Sequence, residues 1–190
     1  DVMSIKDYVK KARAALDDLN LPDGARTEAR RDRLVPLGDD AGIDRSIAES
    51  IAWLCRAQDQ SPTRDGGVAR HYSLISGWGS SYPETTGYIV PTMLAVAEDT
   101  GDRSLELRAR KMLDWFVKIQ FANGAFQGGR IDSQPVVPVT FNTGQILIGL
   151  SAGAAKFGEP YVSAMHRAAH WLVETMDEDG CWRRHPTPFA

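Results

Sequence analysis

The chain is 190 residues long, 43% hydrophobic and 25% charged, which is the balance of one ordinary soluble domain able to bury a core and not of a disordered tail. A formal net charge of -3 gives no overall basic field for nucleic acid or for an anionic membrane. The two cysteines, Cys55 and Cys181, make neither a disulfide framework nor a metal cluster, so a reduced, cytoplasmic setting is the default expectation.

In chain order, the N-terminal "DVMSIKDYVKKARAALDD" lacks the apolar core of a signal peptide. No stretch reaches the roughly 18 apolar residues of a membrane span. Residues 1–44 read as an N-terminal helix and a polar linker, where Arg26, Arg30, Arg31 and Arg33 are interleaved with Glu28 and Asp32 as a solvated surface. "GDDAGID" at 38–44 has the letters of an acidic motif, but its place before a helix suits an N-cap.

From 45 to 190 the chain repeats. "IAWLCRAQ" (51–58), "LDWFVKIQ" (113–120) and "AHWLVETM" (169–176) align on Trp53, Trp115 and Trp171. Each is followed by a turn of one type, "RDGGV", "ANGAF" and "EDGCW". Between them "ETTGYIVPTMLAVAEDTGD" and "FNTGQILIGLSAGAAKFGE" match at an offset of 57 positions, so the period is near 56 to 62 residues.

Each period holds two kinds of helix. Leu105, Ala109, Met112, Phe116 and Ile119 form the apolar stripe of an outer, one-faced helix, and Val162, Met165, Ala169, Leu172 and Met176 repeat it. Segments 86–98 and 143–156 are apolar or small all round, which predicts inner helices covered on both sides, with Tyr88 in the core. Pro91 should kink the first inner helix or shift its start. The three tryptophans are expected at equivalent places on three outer helices, their rings buried.

Alternation of this kind describes an all-α fold, a partial α/α toroid of about two and a half to three helical hairpins. The Trp-and-turn units resemble the repeats of the squalene cyclase and prenyltransferase superfamily. More closely, the run from Trp53 through "DGGVARHYSLISGWGSSYPETTGYIVPTMLAVA" to "FQGGR" resembles bacterial toroid proteins associated with exopolysaccharide biosynthesis. The resemblance covers about residues 45–190, and "SYPETTGY" is its most specific part. It implies a sugar or glycan partner; the net charge and the lack of a long apolar stretch lead to the expectation of no nucleic acid and no membrane insertion. A full ring needs on the order of 350 residues, so a homo-oligomer or a longer chain is expected.

A toroid does not fix a function. Terpene cyclisation wants an Asp-rich acid motif, which is not convincingly present. Cys181 and His185 are a conceivable zinc pair without a third ligand, and no phosphate loop or G-x-S-x-G nucleophile turn occurs. No cofactor or metal is expected.

What remains is a set of aromatic, amide, guanidinium and carboxylate groups on the loops entering the inner helices. The first loop contributes Arg70, His71, Trp78, Tyr82 and Glu84; the second contributes Gln127, Arg130, Phe141, Asn142 and Gln145. Both loops should reach one end of the barrel. Rings stack on the C–H faces of sugars while planar polar groups bind hydroxyls, so Glu84 and His71 are the candidate acid–base residues, with Asp132 or a tyrosine as alternatives to His71, and the other eight are the candidate binding residues. Three functions stay open: a carbohydrate-acting enzyme of epimerase, lyase or hydrolase type, a non-catalytic glycan- or protein-binding scaffold, and an isoprenoid-processing enzyme.

Overall fold

A computed structural model describes residues 8, 9, 13, 16, 19–34 and 38–189. Among them are six helices: α1 (Asp23–Leu34), α2 (Ile43–Asp59), α3 (Pro83–Thr100), α4 (Arg103–Ile119), α5 (Thr140–Phe157) and α6 (Tyr161–Thr175). A two-residue hairpin, β1 (Tyr72–Ser73) with β2 (Gly77–Trp78), lies between α2 and α3. The fold is all-α.

Local chemistry sets the boundaries. Pro83 opens α3, where its missing N–H costs nothing, and Gly101 closes it in the left-handed conformation at φ 72°. The next helix, α4, starts where the Asp102 side chain accepts the Ser104 N–H at 2.8 Å. Pro91 does not divide α3, which runs as one element to Thr100. The side-chain N-cap expected from "GDDAGID" is not formed: Gly42 is the N-cap of α2 and has no side chain to accept an N–H, while Asp40 accepts the Gly42 N–H at 2.9 Å.

The repeat is written in hydrogen bonds. The Gln58 amide donates to the carbonyls of Gly66 (2.9 Å) and Arg108 (3.2 Å), and the Gln120 amide donates to those of Gly124 and Ala164 (both 2.9 Å). Each glutamine thus ties its own turn to the next outer helix. Asp65, Asn123 and Asp179 each accept the N–H two residues on, the same Asx turn three times. Thr86 and Thr143 each accept an N–H from the loop before, Val68 and Phe126, at 3.0 Å.

Glycine allows the stacking. A Cβ at Gly66 would lie 2.8 Å from the Lys111 carbonyl, and one at Gly124 would overlap that of Arg167. The outer helices α4 and α6 therefore rest on the turns of the preceding units. The inner pair α3 and α5 pack directly on each other, because a Cβ at Gly87 would sit 2.6 Å from the Gln145 carbonyl and one at Gly149 would overlap the Gly87 carbonyl. The core of Val90, Met93, Met112, Leu113, Phe116, Ile146 and Leu150 is sealed between α3, α4 and α5.

Several expectations need correction. Trp115 and Trp171 are buried, but Trp53 is 44% exposed, because among the described residues no earlier turn packs on α2. Trp78 and Tyr72 cover it in part, with ring centroids 4.8 Å and 6.2 Å away. Tyr88, expected in the core, is exposed, as are Phe141 and Ile148 on α5: the inner helices are covered on one side only. The stripe of α6 is also shifted by one residue. Tyr161, Ala164, Ala168, Trp171 and Thr175 are buried, with the Trp171 ring 5.1 Å from that of His185 and the Tyr161 hydroxyl donating to Asp114 at 2.6 Å. The expected face, from Val162 to Met176, flanks that contact. In α1 no residue is buried, in keeping with its Arg-rich sequence.

Candidate functional site

The repeat carries both entry loops to one end of the helices. Backbone pairing fixes the first loop: Arg70 donates to Ser80 (3.1 Å), Gly79 to His71 (2.9 Å) and Tyr82 to Val68 (2.9 Å). The second loop is held in the same way, Gly128 donating to Val137 (3.1 Å) and Val139 to Phe126 (3.0 Å). The two are then joined, as the Ile131 N–H donates to the Ser81 carbonyl at 2.9 Å and the Ser80 hydroxyl to Asp132 at 2.5 Å.

Where they meet is a cavity of about 560 Å³ lined by Arg70, Tyr82, Glu84, Arg130, Phe141 and Asn142, together with Gly129, Ser133, Thr187 and Phe189. Six candidate residues from two loops converge there. Glu84 sits in the first turn of α3, at the positive end of that helix. One of its oxygens, Oε2, accepts from the Tyr82 hydroxyl at 2.9 Å and from the buried Asn142 amide at 3.3 Å. Asn142 is in the first turn of α5, so this contact spans two units of the repeat. Glu84 Oε1 makes no hydrogen bond among the described residues.

The electrostatics are mixed. Burial, then the hydrogen bond to Glu84, raises the Tyr82 hydroxyl above the usual phenol range, so it remains a proton donor to that carboxylate at neutral pH. The Arg70 guanidinium lies over the Tyr82 ring, 5.5 Å from its centroid, with no carboxylate in ion-pair reach among the described residues. Arg130 Nε is 3.4 Å from Asp132 Oδ1 and half exposed. Cationic groups therefore stand at the rim and a held carboxylate on the wall.

The other four candidates lie elsewhere. The His71 ring is stacked over Gly79, where a Cβ would come within 2.9 Å of it, and is not part of the cavity wall. Trp78 packs against Trp53 and Tyr72, at 4.8 Å and 5.0 Å. Gln127 is buried, and its amide donates to the carbonyls of Arg130 and Ile131, shaping the loop. Gln145 lines a neighbouring cavity of about 380 Å³ with Trp182 and His185.

Thr187 and Phe189 were not foreseen. They follow the third Asx turn, and the rule that brings loops one and two to the same end applies to that loop as well. Phe189 packs over Gly129, where a Cβ would meet its ring at 2.9 Å. Among the described residues, no group of three or more His, Cys, Asp or Glu side chains is arranged to hold a metal, and no helix is long and apolar enough to cross a membrane.

No family model, curated protein or solved structure matches this chain. Its function has to be argued from the site.

Proposed function

We propose that the cavity binds an acidic sugar or glycan, and that the chain is an arc of an α/α toroid of bacterial surface-polysaccharide biosynthesis. One observation carries this reading: Glu84 is held across two repeat units by Tyr82 and Asn142, in a cavity rimmed by Arg70 and Arg130. Sugar recognition calls for hydroxyl-binding carboxylates and amides beside a ring face, and Phe141, 60% exposed, offers that face. An acidic sugar adds a carboxylate, for which Arg70 supplies a planar, two-pronged donor.

In this reading Glu84 Oε1 takes or gives a proton at a ligand hydroxyl or ring carbon. Its Oε2 is fixed by the hydrogen bond that the Tyr82 phenol donates to it. Epimerase, lyase and hydrolase chemistry all begin with such a group. A binding module without turnover would use the same carboxylate as a hydrogen-bond acceptor, so turnover separates the two.

The test is titration calorimetry with a tetrameric galacturonate and the neutral galactose tetramer, together with product analysis. The acidic probe should bind better. Glu84→Gln should weaken its binding about tenfold or more, as a charge-assisted hydrogen bond is worth roughly 1.5 to 3 kcal/mol, while the unfolding midpoint moves by only a degree or two. If Glu84→Gln unfolds the chain and Phe141→Ala leaves binding of the acidic probe unchanged, the cavity is structural and the reading fails.

A further inference from the structure

The repeat shows what each helix packs against, so a missing neighbour can be located. In the register that aligns Trp53 with Trp115, residues Ile43, Ile47, Ser50 and Leu54 of α2 take the places of Leu105, Ala109, Met112 and Phe116 of α4. The four on α4 are buried, Leu105 at 5% and the others at 0% exposure. Their counterparts are not: Ile43 is 77% exposed and Ile47 49%. Together with Thr92 and Val96 of α3 they line an apolar groove of about 500 Å³.

The difference is one helix. An inner helix, α3, precedes α4 and packs on it. Among the described residues, α1, the helix before α2, is polar and has no buried residue. By the pattern of the repeat, the groove lies where an inner helix ahead of α2 would pack.

The N-terminal segment has the right pattern for that seat. Ile5, Val9, Ala12, Leu16 and Leu19 recur at spacings of four, three, four and three, with Asp7, Lys10, Lys11 and Asp18 on the opposite side of the helical wheel. Val9, Leu16 and Leu19, the described members of that pattern, are 62%, 63% and 68% exposed, so the chain presents an uncovered apolar groove and uncovered apolar side chains ahead of it. At about 1.5 Å per residue, 19 residues span roughly 28 Å, enough to run along the 17-residue α2.

We propose that residues 1–19 seat in the groove between α2 and α3 of their own chain. The seat is independent of the sugar cavity at the helix entry loops.

Amide hydrogen exchange on the full chain tests this. Amides of residues 5–19 should exchange about a hundredfold more slowly than unprotected ones, the mark of a docked element. Ile47→Asp in the groove, and separately Leu16→Asp on the segment, should each abolish that protection while α4 and α5 keep theirs. Unprotected N-terminal amides, protection that survives both substitutions with α4 and α5 intact, or protection that vanishes on dilution because a second copy supplied the contact would each overturn the proposal.

Discussion

Helices α2 and α4 are the same element of the repeat in two surroundings. Each carries a tryptophan and ends in a glutamine or its neighbour that ties down an Asx turn, yet α4 buries Leu105, Ala109, Met112, Phe116 and Trp115 while α2 buries only Ala57 and Gln58 at its C-terminal end. An apolar stripe thus states what a helix is able to bury. How much it does bury is set by the helix and turn ahead of it, which α4 has and α2 has only in part.

The sharpest way to break that comparison is to remove matched side chains. Phe116→Ala should cost about 3 to 5 kcal/mol, because a fully enclosed ring leaves a cavity that the close-packed core cannot collapse. Its counterpart Leu54→Ala, on the wall of the open groove, should cost about 1 to 2 kcal/mol. Denaturant unfolding of both variants gives the two numbers. Equal losses would mean that α2 is as enclosed as α4.

A smaller effect distinguishes the two inner helices. Gly87→Ala should destabilise by about 1 to 3 kcal/mol, since the new Cβ meets the backbone of Gln145 and Ile146, which cannot swing aside as a side-chain tip would. Gly144 is the matching glycine of α5 and has nothing within 4 Å of a Cβ. There alanine should stabilise by up to about 1 kcal/mol through helix propensity alone. A destabilising Gly144→Ala would show that another helix covers α5 in solution.

These contrasts also mark what the sequence could and could not tell. The period, the recurring turns and the convergence of the two entry loops were legible, because each depends on a local pattern or on two adjacent units being alike. The exposure of Trp53 and Tyr88, and the true face of α6, were not. Those follow from whether a neighbour is present, and residues within the helix do not encode its neighbour. Trp78 looked like a sugar platform from its place in "GWGSSYPETTGY", yet it packs on Trp53, a contact 25 positions away that no spacing rule announces. Gln127 was misleading for the opposite reason: its amide is consumed by carbonyls three and four residues on.

The weakest of these differences concerns acid. Arg108 on α4 grips Asp59 at the end of α2 with two hydrogen bonds, at 2.8 Å and 2.7 Å, and this bond, followed by the charge of Arg108, holds the Asp59 carboxyl below the usual carboxylate range. The matching residue of the next unit is Phe121, which has no charge to lose. A carboxyl whose folded pKa is depressed contributes stability that is complete above its unfolded value of about 3.9 and is lost as the pH falls through the folded value. Asp59 is half exposed, so solvent screening limits the pair to roughly 0.2 to 1 kcal/mol. Asp59→Asn should then lower stability by that amount at pH 7 and by progressively less below about pH 4. In hydrogen exchange the loss at pH 7 should appear in the last turn of α2, and the seam between α4 and α6, where Phe121 stands, should be unchanged. A variant that loses as much at pH 3 as at pH 7 would show that Asp59 acts through packing and not through charge.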